Sequence, residues 1–100
     1  MAISLLVGGF DFASKLQLTL HVRKLIEQYP VGAHVSEAHQ LFLESLFSLH
    51  PDAQRKLKEG VEKIEVRLDQ YGKKHFFIYD RSGGGEDVSW TKCVNNARSM

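Results

Sequence analysis

Lys63-Ile64-Glu65-Val66-Arg67-Leu68-Asp69-Gln70-Tyr71-Gly72-Lys73-Lys74-His75-Phe76-Phe77-Ile78-Tyr79-Asp80 decides the fold class of this 100-residue chain. In its first third, Ile64, Val66 and Leu68 alternate with Lys63, Glu65 and Arg67. A period of two predicts a strand with one buried and one wet face. Asp69-Gln70-Tyr71-Gly72 predicts the turn, and Lys74 to Asp80 the returning strand. That second strand is apolar on both faces, which predicts a central position in an antiparallel sheet.

Downstream, Arg81-Ser82-Gly83-Gly84-Gly85-Glu86 is expected as one flexible loop, followed by a short Asp87-Val88 strand. Ser89 is expected to cap a last helical segment through about Asn96. Upstream the period changes to that of a helix. Ile3 to Val7 and Phe10 to Phe12, joined by Gly8-Gly9, predict a small hairpin. Ser14 with Gln17 forms a capping-box pattern. Leu18, Val22, Leu25, Ile26 and Tyr29 then mark one helical face that Pro30 ends. Leu16, Leu18, Leu20 and Val22 also alternate as a strand would; the cap and the longer helical run decide for helix. Ser36 opens a second helix carrying Phe42, Leu43, Leu46, Phe47 and Leu49, with Pro51 as its stop. Asp52 is expected to cap a short third helix from Ala53 to Glu59, with Gly60 as its exit glycine. The sum is α+β: a single domain over residues 1–100, with helices packed on one antiparallel sheet of about three to five strands.

Composition sets the limits on function. Apolar residues are 43% and charged residues 25%, as in an ordinary globular domain, which excludes a disordered tail, a collagen-like fibre and a cysteine-rich secreted scaffold. The net charge of +1 neither demands nor forbids nucleic acid. Cys93 is the single cysteine, so an internal disulfide is impossible and a reducing, cytoplasmic setting is expected. No apolar run approaches the length of a membrane span, and the N-terminus lacks a signal-peptide pattern.

The chemistry-bearing patterns are weak one by one. Ser89-Trp90-Thr91-Lys92 matches Ser-x-x-Lys, without the companion motifs such enzymes carry. His21, His34, His39, His50 and His75 show no ligand spacing, so no metal is expected. Gly83-Gly84-Gly85 is followed by Glu86 and Asp87, which would repel a phosphate, and no cofactor is implied. Cys93 sits beside Val94 on the last helix and reads as a buried, inert thiol. Basic groups are more suggestive. Arg55, Lys56, Lys58 and Lys63 cluster around the third helix, Lys73 and Lys74 at the hairpin, and Lys92 and Arg98 near the end. Phe76, Phe77, Tyr79 and Trp90 lie among them, and aromatic faces stack on unpaired bases. Against this, Glu59, Glu62 and Glu65 interleave with the cations, and aromatics are needed for the core.

An ordered set of short stretches resembles the family named for the plant DCL (defective chloroplasts and leaves) protein. It runs from Phe12, His21, Leu25-Ile26 and Tyr29 through His50-Pro51, Lys56-Leu57 and Gly60-Val61. Ile64, Val66 and Arg81 follow, and Asp87-Val88-Ser89 with Lys92-Cys93-Val94 closes it. The chain departs from the family at Lys58, where members tend to have glycine, and at Ser82-Gly83-Gly84-Gly85, where they have Asp-Gly after the arginine. Without the transit peptide of chloroplast members, a small stand-alone, bacterial-type version is expected. The resemblance implies an RNA setting: chloroplast ribosomal RNA maturation, and the end of the largest subunit of plant RNA polymerase V. The expectation is therefore a non-catalytic RNA-associated module, partnered by RNA or a ribonucleoprotein, with Arg55, Lys56, Lys58, Arg81 and Lys92 as contact residues. His50, Pro51, Gly60, Asp87, Ser89 and Cys93 are expected to hold the fold, the His50 ring by bonding a backbone carbonyl at the proline corner. A protein-interaction module is the alternative, and a hydrolase or nuclease using His50 with Asp52 stands last.

Overall fold

The computed structural model describes residues 5–97; Ile3 of the expected hairpin and the cation Arg98 lie outside them. The elements run β1 (Leu5–Val7), β2 (Phe10–Phe12), α1 (Lys15–Glu27), α2 (Glu37–Phe47), α3 (Ala53–Lys56), β3 (Val61–Leu68), β4 (Lys74–Asp80), β5 (Gly85–Val88) and α4 (Trp90–Asn96). β1 and β2 pair as a separate two-stranded hairpin, and β3-β4-β5 form a three-stranded antiparallel sheet with β4 in the middle. The fold is α+β, as the change of sequence period predicts.

Two of the four expected caps form. Ser14 Oγ accepts from the Gln17 N–H and Ser36 Oγ from the His39 N–H, each 3.2 Å away. Asp52 makes no side-chain cap, because its carboxylate is drawn to Arg55, and α3 shrinks to four residues. Ser89 makes none either; its Oγ lies 3.0 Å from Thr91 Oγ1.

The helices and the inner sheet face share one core. Leu18, Val22, Leu25 and Ile26 of α1 and Phe42, Leu43, Leu46 and Phe47 of α2 are buried with Ile64, Val66, Phe76, Ile78 and Val88. The Phe47 and Phe76 rings meet at 5.7 Å, joining helix layer to sheet. Leu16 and Leu20, the positions that made α1 ambiguous, are exposed, as helical geometry requires. A register shift between Val61 and Lys63 turns Val61 inward alongside Ile64. Leu68, expected inside, is exposed at the end of the strand.

The free edge of β3 is covered by the segment between Pro30 and Ser36, for which the sequence pattern predicts no element. Gly32 N–H donates to Val66 O, Val66 N–H to Ala33 O, and Val35 N–H to Ile64 O, at 2.7–2.9 Å. An unpaired edge would be open to association with other strands, and this segment closes it. No helix among the described residues is long and apolar enough to cross a membrane.

Candidate nucleic-acid interface

The five cations singled out by the sequence fall into two groups. Arg55 and Lys56 are internal ties. Lys56 Nζ lies 2.7 Å from Glu86 Oε1 and donates to Asp87 O at 3.0 Å, with its side chain only 15% exposed. Arg55 bridges Asp52 at 2.6 Å and Glu86 at 3.2 Å. The Lys56 ammonium holds the Glu86 carboxyl below the usual carboxylate range, and Arg55 does the same to Asp52. These charges dock α3 against β5. Lys58, Arg81 and Lys92 are exposed and have no carboxylate partner among the described residues. Arg81 runs along Gly60, where an added Cβ would stand 3.3 Å from its Nε. Gly60 also takes φ +79°, the left-handed conformation that favours glycine, but it stands three residues beyond Leu57, the C-terminal cap of the shortened α3, rather than at the helix exit expected for it.

The remaining motif residues build the same corner. His50 is buried, and its Nδ1 accepts the Asp52 N–H at 2.9 Å. The expected bond to a carbonyl is thus replaced by its converse, since the turn through Pro51 aims an N–H at the ring. Burial, then Lys56 and Lys92, push the His50 pKa down. His50 and Asp52 form no dyad: one ring nitrogen is spent on a backbone N–H and the Asp52 carboxylate on Arg55. Cys93 is fully buried, and burial pushes its thiol up to about 12. Its N–H and Sγ both turn to Ser89 O. Ser89 Oγ engages Thr91 rather than Lys92, and Asp87 pairs with His75.

A second constellation lies on the outer face of the sheet. Strand register sets Glu65, Phe77 and Asp87 in one row, Arg67 beside His75, and Lys63 beside Tyr79. The Arg67 guanidinium lies over the Phe77 ring, 3.8 Å from its centre. Arg67 also donates to Tyr79 Oη and, through Nε at 2.8 Å, to Glu65. Tyr79 Oη donates to Glu65 Oε1 at 2.9 Å, and Lys63 Nζ stands 5.1 Å from the Tyr79 ring centre. Arg67, then Tyr79, hold the Glu65 carboxyl below its ordinary range. The result is an ordered platform of a planar cation and two half-buried aromatic rings, facing away from the core.

Sequence reasoning brought Lys63, Phe77 and Tyr79 into view but did not select Arg67 or Glu65 as site residues. The wet-face alternation held that signal. Lysine density drew attention to α3 instead, where two of the cations are neutralised.

The sequence pattern of the family described as "Protein of unknown function (DUF3223)" matches residues 23–94. The chain is 26% identical over 99 residues to the DNA-directed RNA polymerase IV subunit 1 of Arabidopsis thaliana. That alignment takes in 98% of this chain and 7% of the polymerase subunit. Among solved structures, the solution NMR structure of an uncharacterized protein from Rhodospirillum rubrum superposes with a TM-score of 0.87 at 32% identity. The superposition covers 93% of this chain and 89% of that one.

Proposed function

We propose, taking as premise that the chain belongs to this family of unknown function (DUF3223), that it is a non-catalytic RNA-associated module of the DCL type, acting in RNA processing. The observation that carries the reading is the outer sheet face, with the Arg67 guanidinium flat on Phe77 and Tyr79 beside it. Unpaired bases stack on aromatic rings and on guanidinium planes, and such stacking tolerates any base. Lys63, on the same face, supplies a cation for the backbone, and Lys58, Arg81 and Lys92 are further unneutralised cations. The plant relative is a subunit of an RNA polymerase, a setting where RNA is at hand. A cytoplasmic location belongs to this reading, since the single cysteine is a buried free thiol.

Fluorescence anisotropy with a single-stranded ribosomal RNA fragment, repeated across salt concentrations, tests it. Arg67→Lys keeps the charge but loses the flat guanidinium, so affinity should fall about tenfold with the salt slope unchanged. Lys63→Gln should instead lower the log–log slope by about 0.7, one phosphate contact on a single strand. Unchanged affinity in the folded double variant, or no binding at low salt, would overturn the proposal.

A second reading rests on a different surface. Phe10, Leu16, Leu20 and Leu41, on β2, α1 and α2, are about half to two-thirds exposed, and large apolar side chains left in water are what a protein partner would cover. Leu20→Asn with Leu41→Asn should then abolish association with a protein partner and leave RNA affinity alone. Unaltered association would exclude this face.

A further inference from the structure

Beside the sheet platform lies a cleft of about 870 Å³, between the second half of α1, the tip of the β3–β4 hairpin and the junction of β5 with α4. It is within the size range of small-molecule sites. His75 and Asp87 belong both to the outer face of the sheet and to the cleft wall, so the two surfaces are continuous. Trp90, the single tryptophan of the chain, lines the cleft and is only partly buried against the core.

The charges in the cleft are unevenly compensated. Asp69 accepts from the backbone N–H groups of Tyr71 and Lys73, at 2.8 and 2.9 Å. Glu27 stands 4.0 Å from Lys74, and Asp87 accepts from His75 Nε2. Each carboxylate therefore has a partner. Arg23 and Lys73 are exposed and have no carboxylate partner among the described residues. Nδ1 of His75 is buried without any hydrogen-bond partner.

An aromatic wall and two uncompensated cations fit one ligand chemistry, a base joined to a phosphate. We propose that the cleft seats a single unpaired nucleotide, its base against Trp90 and its phosphate on Arg23 and Lys73. This rests on the RNA reading of the adjoining platform and deepens it: a strand crossing Phe77 and Tyr79 delivers one nucleotide past His75 and Asp87 into the cleft.

The tryptophan is its own reporter. The full chain is titrated with adenosine 5′-monophosphate and with the single-stranded RNA fragment, following Trp90 emission, while anisotropy of labelled RNA records binding to the whole surface. Both ligands should change Trp90 emission saturably, and Arg23→Gln with Lys73→Gln should weaken the mononucleotide about tenfold. These two side chains are exposed, so the variant should fold, with the far-ultraviolet dichroism of the parent; Trp90→Phe should abolish the emission signal and so show that the change is read at this ring. RNA binding by anisotropy without any change at Trp90 would overturn the cleft proposal and leave the RNA reading intact. Saturable mononucleotide quenching without RNA binding would uphold the cleft and remove the RNA reading. Silence in both measurements would remove both, and an unchanged mononucleotide affinity in the double variant would remove the phosphate assignment.

Discussion

At the scale of the residue, His50 couples the proline corner to protons. Its Nδ1 must be unprotonated to accept the Asp52 N–H, and burial with Lys56 and Lys92 nearby disfavours the charged ring. A histidine whose folded pKa lies below its ordinary 6.5 binds fewer protons folded than unfolded, so its contribution is fully present above 6.5. That contribution is lost as pH falls from there through the folded pKa. His21, packed among Phe10, Phe12 and Phe42, has a pKa lowered by burial and acts in the same direction. Chemical denaturation on either side of pH 6.5 should therefore show an acid-side loss well above the carboxylate range. His50→Asn keeps an acceptor near Nδ1 but cannot take the charge, so its acid limb should be shallower, with the remainder owed to His21. His50→Ala leaves the part-buried N–H unpaired and should cost about 1–3 kcal/mol at neutral pH. An acid limb in His50→Asn as steep as in the parent would refute this role.

At the scale of the element, the glycine run shows what local sequence conceals. Gly85 belongs to β5 rather than to a flexible loop, and a Cβ there would stand 2.6 Å from Ile78 O and 2.6 Å from Phe77 Cε1. The Phe77 ring fills the space that a side chain would need, as aromatic residues do over glycines in sheets. Gly85→Ala must push β5 off β4 or tilt Phe77 out of the platform, at about 1–3 kcal/mol in urea denaturation. Gly84→Ala meets the Asp80 carboxylate at 3.1 Å, a side-chain end able to shift, and should cost less. Equal stability of the two variants would count against the close approach. The strand alternation and the helical stripes were legible because each depends on neighbours a few residues away. The caps at Ser14 and Ser36 were legible for the same reason. Those expected at Asp52 and Ser89 failed because their side chains found Arg55 and Thr91. The partners that decide the candidate site lie farther off: Lys56 meets Glu86 from thirty residues away, and Arg67 reaches Tyr79 only through the β3–β4 register. Composition and spacing carry no record of such choices.

At the scale of the whole molecule, the core extends beyond the family-matched segment. That match begins at residue 23, yet Val7, Phe12, Leu18 and Val22 are buried, the last two completely. Phe12 and His21 pack on Phe42, and Lys15 Nζ reaches across to Asn95 O at 2.7 Å, so the early residues touch both the second and the last helix. Burying a large apolar side chain contributes about 1.5–3 kcal/mol. Four such residues together approach the about 5–15 kcal/mol that stabilises a typical domain. A chain beginning at residue 23 also divides α1 and uncovers Phe42. It should therefore lose the cooperative urea transition and the near-ultraviolet circular dichroism of its packed aromatic residues, while keeping part of its helical signal. The intact chain should show one sharp transition reported alike by Trp90 emission and by far-ultraviolet dichroism. A sharp transition in the shortened chain would mean that β3, β4 and β5 with α2 and α4 suffice. The hairpin and the first turns of α1 would then be a dispensable cover over Phe42, and the apolar surface they carry would be free to serve a partner.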